Sequence, residues 1–160
     1  MVNWTAAYER DAPDLLRYLR RFVRTTDRAE DLLQETFVHA MAADRVPTED
    51  ELRPWLYRIA SNLAISQLRR DRRRALLSFR HSQPESRSIQ IEDLEHVRIA
   101  LRSIPPDQAI ALVLTVHHGF SRTEAASILM IPPETLKTRL ARGRLNFAAA
   151  YGRIGHGSKS

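Results

Sequence analysis

The sequence predicts an all-α protein of two small helical domains joined by a flexible linker, the second domain being a helix-turn-helix. Three observations support this class. Apolar residues recur at helical spacing along most of the 160 residues. The stretch 78–88 has little apolar content and no period, and two short helical segments with a tight turn lie near the end. We expect domains at residues 1–74 and 91–151, a linker at 75–90 and a disordered tail at 152–160.

The composition indicates a polyanionic partner. The chain has 25 Lys and Arg against 19 Asp and Glu, a formal net charge of +6, so a nucleic acid or an anionic membrane surface is expected to bind. The basic residues are almost all arginine, which suits phosphate and guanine contacts, although a GC-rich genome produces the same bias. The absence of cysteine excludes disulfides, Cys-ligated zinc and a thiol nucleophile. No signal peptide or long apolar run is evident, so we expect a cytoplasmic, soluble protein.

The first two helices are predicted from their apolar periodicity. The first spans roughly residues 5–24. The second begins at Asp27, a candidate N-cap with Glu30 three residues later, as in a capping box. Both carry apolar side chains at the spacing of a core-facing helix.

The third helix, Arg53–Arg74, changes character halfway along. It follows a polar loop at 44–53, and Pro54 opens it because proline is tolerated in a first turn. Its first half has an apolar stripe, but the same face then falls on Gln67 and Arg70, which cannot be buried without partners. We therefore predict that the first half packs in the core and that the arginine-rich second half projects from it.

The second domain is predicted to contain four helices. Two prolines separate the first from the second, which ends at Gly119 as its C-cap. Ser121 and Glu124 form a capping box for a short helix over residues 121–129. A tight turn leads to the last helix at 133–151, which completes a helix-turn-helix signature.

The last helix has a face suited to the major groove of DNA. Its apolar stripe packs on the preceding helices, whereas the opposite face has small residues edged by positive charge. Arg142 can contact guanine, and Ala141 allows close approach to a base edge, while the other cations suit phosphates. The candidate DNA-contacting residues are Lys137, Thr138, Arg139, Ala141, Arg142 and Arg144. The alternative is a solvated amphipathic helix.

No metal or catalytic site is predicted. His117 and His118 are adjacent on one helix and do not face one another; in a last turn, a protonated histidine would complement the helix dipole. The sequence has no Gly-rich phosphate loop, no nucleophile–base pair and no metal-ligand spacing. We expect no cofactor and no enzymatic activity.

Four segments, in this order, resemble those of an extracytoplasmic-function (ECF) sigma factor, a two-domain bacterial transcription initiation factor. The family's core-polymerase-binding helix resembles DRAEDLLQETFVHAM (27–41), and its promoter-melting, −10-reading helix resembles RPWLYRIASNLAISQLRR (53–70). Its second domain resembles LRSIPPDQAIALVL (101–114), and its −35-reading helix-turn-helix resembles SRTEAASILMIPPETLKTRLARGR (121–144). The resemblance extends from residue 8 to residue 151.

The resemblance implies roles for particular residues. Core RNA polymerase would be contacted by Asp31, Gln34 and Glu35, which lie off the apolar stripe of their helix. The residues implied for −10 DNA are Arg58, Asn62, Ile65, Arg69 and Arg70. The first four form a stripe beside the core face, which suits a melted single strand. The last-helix residues would read −35 duplex.

The sequence departs from the family pattern in two places. The loop that holds a flipped −10 base in the family carries here an acidic run, residues 48–51, which puts the −10 preference in doubt. Met130 and Glu134 stand where the family commonly has glycine. A non-glycine residue at positive φ costs about 1 kcal/mol or more, so the turn is expected to differ slightly.

The resemblance also implies an anti-sigma factor as a partner that wraps or separates the two domains. One alternative is a sigma-like decoy that sequesters an anti-sigma protein without engaging DNA; such a protein should lose the basic face that this chain keeps. Another alternative is a plain helix-turn-helix repressor, which would leave the first domain without a role.

Overall fold

Helices make up most of the described structure. The structure is a computed structural model that describes residues 1–77 and 92–157, and of residues 92, 93 and 155–157 it describes only the helical backbone. Its elements are α1 (Trp4–Arg20), α2 (Thr26–Ala42), α3 (Glu49–Leu77), α4 (Glu92–Ser103), α5 (Pro106–Leu112), a π-helical turn (Val113–His117), α6 (Arg122–Leu129) and α7 (Pro133–Gly157). No strand occurs in these two ranges, so the predicted all-α class is confirmed. Neither range contains a helix that is both long and apolar enough to cross a membrane.

The helices α1, α2 and the first part of α3 form one helical unit. Its fully buried side chains include Leu15, Tyr18, Leu19, Leu32, Leu52 and Leu56. At its centre the Tyr18 hydroxyl and Ser61 Oγ form a buried hydrogen bond of 2.7 Å. Asn3 caps α1 by accepting the N–H of Ala6 at 3.1 Å, and α1 ends at Arg20, before the predicted residue 24.

Helices α2 and α3 begin earlier than the sequence predicts. The cap of α2 is Thr25, whose extended backbone (φ −123°, ψ 152°) lets Oγ1 accept the N–H of Arg28 at 3.1 Å. The predicted cap at Asp27 with Glu30 is therefore wrong. Helix α3 begins at Glu49, so most of the acidic run predicted as a loop forms its first turn. Carboxylates are favourable there because they face the positive end of the helix dipole.

Pro54 lies inside α3 rather than at its start. Its nitrogen cannot donate to the carbonyl of Asp50, but Asp50 is exposed, so water can serve that carbonyl. At its other end α3 continues to Leu77, and residues 75–77 of the predicted linker are helical. The rest of that linker, residues 78–90, lies outside the described residues.

Helices α4 to α7 form the second helical unit, in which α7 packs against α4 and α5. Helix α5 begins at Pro106 as predicted, but it is α-helical only to Leu112. A π-helical turn follows, in which the N–H of His118 donates to the carbonyl of Val113 at 3.1 Å. Gly119 then adopts φ +69°, the left-handed conformation that the predicted C-cap requires.

The helix-turn-helix forms as the sequence predicts. Ser121 Oγ accepts the N–H of Glu124, and the Glu124 carboxylate accepts the N–H of Ser121, both at 3.1 Å. This confirms the capping box. Helix α7 runs to Gly157, so the tail predicted to be disordered from residue 152 is helical that far. Residues 158–160 lie outside the described part of the chain.

Met130 ends α6 in the left-handed conformation, with φ 56° and ψ 45°. Its side chain is 74% exposed, so it contributes little packing. We predict that Met130→Gly stabilises the protein by about 1 kcal/mol, because glycine adopts this conformation without a Cβ clash. Urea unfolding followed by circular dichroism measures the change. Ser127→Gly, at an exposed site within α6, is the control and should destabilise by about 0.5 kcal/mol, because serine is intermediate between alanine and glycine in helix propensity. A loss of stability in Met130→Gly would contradict the prediction.

The two helical units pack directly against one another through an aromatic cluster. The Tyr57 hydroxyl and His118 Nδ1 are 3.3 Å apart, and the ring centroids of Tyr57 and Phe120 are 5.0 Å apart. Tyr18 meets His118 edge to face at 5.2 Å, and Cζ of Arg53 lies 5.0 Å from the Phe120 ring centroid. We call these residues the closure interface. Apart from the apolar ring of Phe120 directly after Gly119, the sequence gives no indication of this contact.

Candidate polymerase and nucleic-acid interfaces

Helix α2 presents a polar face to solvent, and the residues predicted to contact polymerase lie on it. Asp31, Gln34 and Glu35 are all exposed. Asp31 is 62% exposed, and its carboxylate is 3.9 Å from the guanidinium of Arg28, where an exposed pair contributes little. This face can therefore meet a cationic or polar helix without first breaking a strong internal contact.

The stripe on α3 that is predicted to hold −10 DNA faces the second helical unit at one end. Arg58 donates from Nε and Nη2 to two consecutive carbonyls at the C-terminal end of α6, at 3.2 and 3.0 Å. One of them, the carbonyl of Ser127, also accepts the N–H of Met130 at 3.2 Å. Because α6 ends here and the last carbonyls of a helix lack the donors that a further turn would supply, Arg58 acts as an additional cap of α6. Ile65 is half-buried, whereas Asn62 and Arg69 are exposed. Part of the predicted DNA surface is thus engaged inside the protein.

Further arginines join the two units in the same way. Arg72 of α3 donates to the carbonyl of Ser103 at 2.9 Å. Arg102 of α4 donates to the carbonyl of Val23, just beyond α1, at 3.4 Å. Each contact satisfies a backbone acceptor at or near a helix end. These arginines therefore stabilise the packing of the two units.

Arg70 faces a different side of α3 from Arg58, since residues twelve apart are rotated by about 120° at 100° per residue. Its Nη2 donates to Gln67 Oε1 at 3.0 Å. Gln67 is only 6% exposed; Oε1 also accepts from Arg28, and Nε2 donates to Asp71 at 2.8 Å. Gln67 is thus buried together with hydrogen-bond partners, as the sequence predicts for a buried amide. Arg70 lies apart from the −10 stripe.

The predicted recognition helix α7 exposes nearly all of its candidate DNA contacts. Those exposed are Lys137, Thr138, Ala141, Arg142 and Arg144. Arg139 is half-buried, with Nε 3.4 Å from the carboxylate of Asp107. On the opposite face Gly143 is buried, and a Cβ there would lie 3.2 Å from Leu112 Cδ1, so glycine allows α7 to approach α5 closely. The exposed face of α7 therefore presents both the side chains predicted to read bases and those predicted to contact phosphates.

His118 is held neutral within the closure interface. Burial lowers its pKa to about 4, and the nearby positive charges of Arg21, Arg17 and Arg53 act in the same direction. The prediction that a protonated histidine complements the dipole here is therefore wrong for His118. The described residues contain no group of three or more His, Cys, Asp or Glu side chains that could hold a metal ion.

Two sets of residues were not singled out from the sequence. One is the closure interface, and the other is Arg28, in the first turn of α2. A signal existed for Phe120, because an apolar ring directly after a C-cap glycine needs a partner outside its own helix. None existed for Arg28, whose contact with Gln67 joins two helices far apart in sequence.

Two family models match the chain over well over half of its length. The model described as Sigma-70 region 2 matches residues 7–74, and the model described as Sigma-70, region 4 matches residues 95–146. Among curated relatives, the ECF RNA polymerase sigma factor EcfG of Rhodopseudomonas palustris is 34% identical over 144 residues, which cover 86% of this chain and 78% of the relative.

Two solved structures share the fold. The sigma factor RpoE in complex with the anti-sigma factor NepR from Bartonella quintana has a TM-score of 0.68 and 26% identity, over 92% of this chain and 96% of that one. The structure of CnrH in complex with the cytosolic domain of CnrY has a TM-score of 0.69 and 27% identity, over 91% and 85%. Since each match covers most of both chains, the similarity includes both helical units.

Proposed function

This chain belongs to the ECF sigma factor family, and on that premise we propose that it binds core RNA polymerase and directs transcription initiation from specific promoters. It acts in the cytoplasm as a binding factor and carries out no catalytic step of its own. Asp31, Gln34 and Glu35 on the exposed face of α2 contact the polymerase.

The observation that carries the proposal is the exposed face of α7. On this face Arg142 and Ala141 lie between cations. Such an arrangement reads base edges in a major groove, while the contacts of the cations with phosphates fix the position of the helix on the duplex. The exposure of Lys137, Thr138 and Arg144 on the same face supports −35 duplex as its ligand.

The α3 stripe captures the melted −10 strand. Asn62 offers an amide to a base edge, and Arg69 offers a guanidinium to phosphate; both are exposed. Arg58 and Ile65 become available to the same strand when the second helical unit moves away. The energy of binding splayed bases offsets the cost of unpairing them.

An anti-sigma factor is the second protein partner that we propose, besides core RNA polymerase. Both solved relatives are complexes with such a protein or with a domain of a second protein, CnrY. A clamp that stabilises the packed arrangement would keep Arg58 engaged on α6 and so keep the −10 stripe incomplete. The decoy alternative is less favoured, because a decoy has no need of the basic face that α7 exposes.

Run-off transcription tests the proposal directly. Purified core RNA polymerase and promoter-containing DNA should give a defined transcript only when this protein is added. No transcript from any promoter-bearing template, together with tight binding to an anti-sigma protein, would favour the decoy instead.

Arg142→Ala should reduce discrimination between the correct and an altered −35 element by about tenfold, since one bidentate base contact contributes about 1–3 kcal/mol. Arg144→Ala should weaken binding to both sequences equally and lower the salt slope by about 1, as expected for a phosphate contact. Fluorescence anisotropy at several salt concentrations measures both effects. Equal losses on the two sequences from both variants would contradict this division of roles.

A further inference from the structure

Glu134 places a carboxylate at the centre of the exposed face of α7. At 100° per residue, Glu134, Thr138 and Ala141 lie within about 60° of one another around the helix axis, and all three are exposed. The buried residues Leu136 and Gly143 lie on the opposite side of α7. Glu134 therefore lies on the same line as the side chains predicted to face base edges.

The position of Glu134 along and around α7 directs it at bases rather than at phosphates. It belongs to the first turn of α7, and the N-terminal residues of a recognition helix are the ones that contact base edges in the major groove. Lys137 and Arg144 lie about 60–80° to one side of it. These two cations can reach a DNA backbone, while the carboxylate lies nearer the middle of the groove.

The Glu134 carboxylate is not engaged elsewhere in the protein. It forms no hydrogen bond or ion pair with any residue of the described part of the chain. The Thr138 hydroxyl donates its hydrogen to the backbone carbonyl of Glu134 at 3.1 Å, and Ala141 has no polar side-chain atom. Of the three central side chains, Glu134 therefore offers bases the strongest hydrogen-bond acceptor, because it is charged.

An acceptor of this kind selects cytosine. An ionised carboxylate accepts hydrogen bonds but cannot donate one. In the major groove cytosine presents the N4 amino donor, whereas guanine and thymine present acceptors. Adenine presents the N6 donor beside the N7 acceptor, and N7 would be left facing the carboxylate without a donor. Cytosine is therefore the base whose edge a glutamate complements.

We propose that Glu134 is a specificity-determining residue that accepts a hydrogen bond from the N4 amino group of a cytosine in the −35 duplex. The inference rests on the proposed function, since it requires that α7 binds this duplex. The role is particular to this chain, because the family commonly has glycine at this position.

The spacing of Glu134 and Arg142 also predicts where that cytosine lies. Arg142 is about two turns further along α7, and residues three or four apart on a recognition helix contact successive bases. The G·C pair read by Glu134 should therefore lie about two base pairs from the pair whose guanine Arg142 contacts.

Selection from a randomised pool tests the assignment. The full-length chain is assembled with core RNA polymerase, the holoenzyme binds promoter duplexes that are randomised across the −35 region, and the bound duplexes are sequenced. The wild-type protein should select a G·C pair at the predicted position by about tenfold over other pairs. Glu134→Gln should change that selection to A·T, because a glutamine amide accepts from adenine N6 and donates to N7. The pair read by Arg142 should stay the same.

Two matched variants separate recognition of a base from the effect of charge. Glu9→Gln makes the same change in charge at an exposed position of α1 and should select the wild-type motif. Glu134→Asp keeps the charge but shortens the side chain by one methylene group. It should lower the preference for G·C without creating one for A·T. Thermal melting verifies that each variant is folded.

Two outcomes would overturn the proposal. An unchanged motif in Glu134→Gln, whether or not binding becomes tighter on every sequence, would show that the carboxylate reads no base. A wild-type motif whose single G·C preference is the one lost in Arg142→Ala would show the same. Both outcomes leave the proposed function intact, which fails instead if the wild-type holoenzyme selects no motif at all.

Discussion

Replacing Phe120 with alanine should separate the two helical units and strengthen binding to single-stranded −10 DNA. Phe120 is 5% exposed, and its ring packs on Tyr57 and under Arg53, both from the first unit. Removing a buried phenyl ring costs about 3–5 kcal/mol, and part of that cost falls on the contact between the units. Once the contact opens, Arg58 leaves the end of α6 and can bind DNA.

Fluorescence energy transfer measures the separation. The chain has no cysteine, so dyes on cysteines introduced at the exposed positions Ala6 and Ala149 report one distance across the two units. In Phe120→Ala we expect lower transfer and about tenfold tighter binding of a −10 single strand, since the apparent affinity rises with the fraction of competent protein.

Val116→Ala is the matched control, because Val116 is 61% exposed near the same turn and its truncation should change stability by less than about 0.5 kcal/mol. Unchanged transfer in Phe120→Ala, with the variant still folded, would show that the ring does not hold the units together. Lower transfer without tighter DNA binding would show that Arg58 is not released for DNA.

Acidification from pH 7 to pH 4 should weaken the packing of the two units by about 2 kcal/mol. Each unit of difference in the pKa of His118 between the closed and open forms corresponds to about 1.36 kcal/mol. The partial exposure of His118 reduces this effect. The pKa of His118 is about 4 in the closed arrangement, below its ordinary value of 6.5. Between those values the open form binds a proton that the closed form excludes, so closure is lost as pH falls through this window.

The same pair of dyes measures this pH dependence. Transfer should fall between pH 6.5 and 4 in the wild-type protein, and the fall should be much smaller in His118→Gln, which has no titrating ring. His39→Gln, at an exposed position on α2, should behave as wild type. The comparison is needed because carboxylates also titrate near the lower end of the range. An identical pH profile in His118→Gln would exclude His118 as the responsive group.

The helix-turn-helix could be predicted almost to the residue because its determinants are local. Ser121 and Glu124 cap one helix end, and Gly119 closes the previous one, through contacts within a few residues. The start of α3 was mispredicted because acidic residues before a proline are typical of a loop. The same acids also stabilise a first turn, which is how Glu49 comes to open the helix.

For the candidate sites, too, the sequence predicts local features but not contacts between residues that are far apart in the chain. Helical periodicity alone places Asp31, Gln34 and Glu35 on an exposed face. It cannot show that Arg58 caps α6 or that Tyr57 meets His118, since that pair is 61 positions apart in the chain. A stripe of residues predicts which side chains share a face, whereas the partner of that face depends on how the second unit packs.

The π-helical turn makes the packing of the two units sensitive to the insertion or deletion of a single residue. Its wide hydrogen bond, from the N–H of His118 to the carbonyl of Val113 at 3.1 Å, encloses one residue more than an α-helical bond would. Deleting a single codon between Val113 and His118 would restore regular α-helix and rotate His118 by about 100° away from Tyr57. One insertion or deletion event would thus be enough to add or remove the contact between His118 and Tyr57, while the exposed basic face of α7 keeps its sequence.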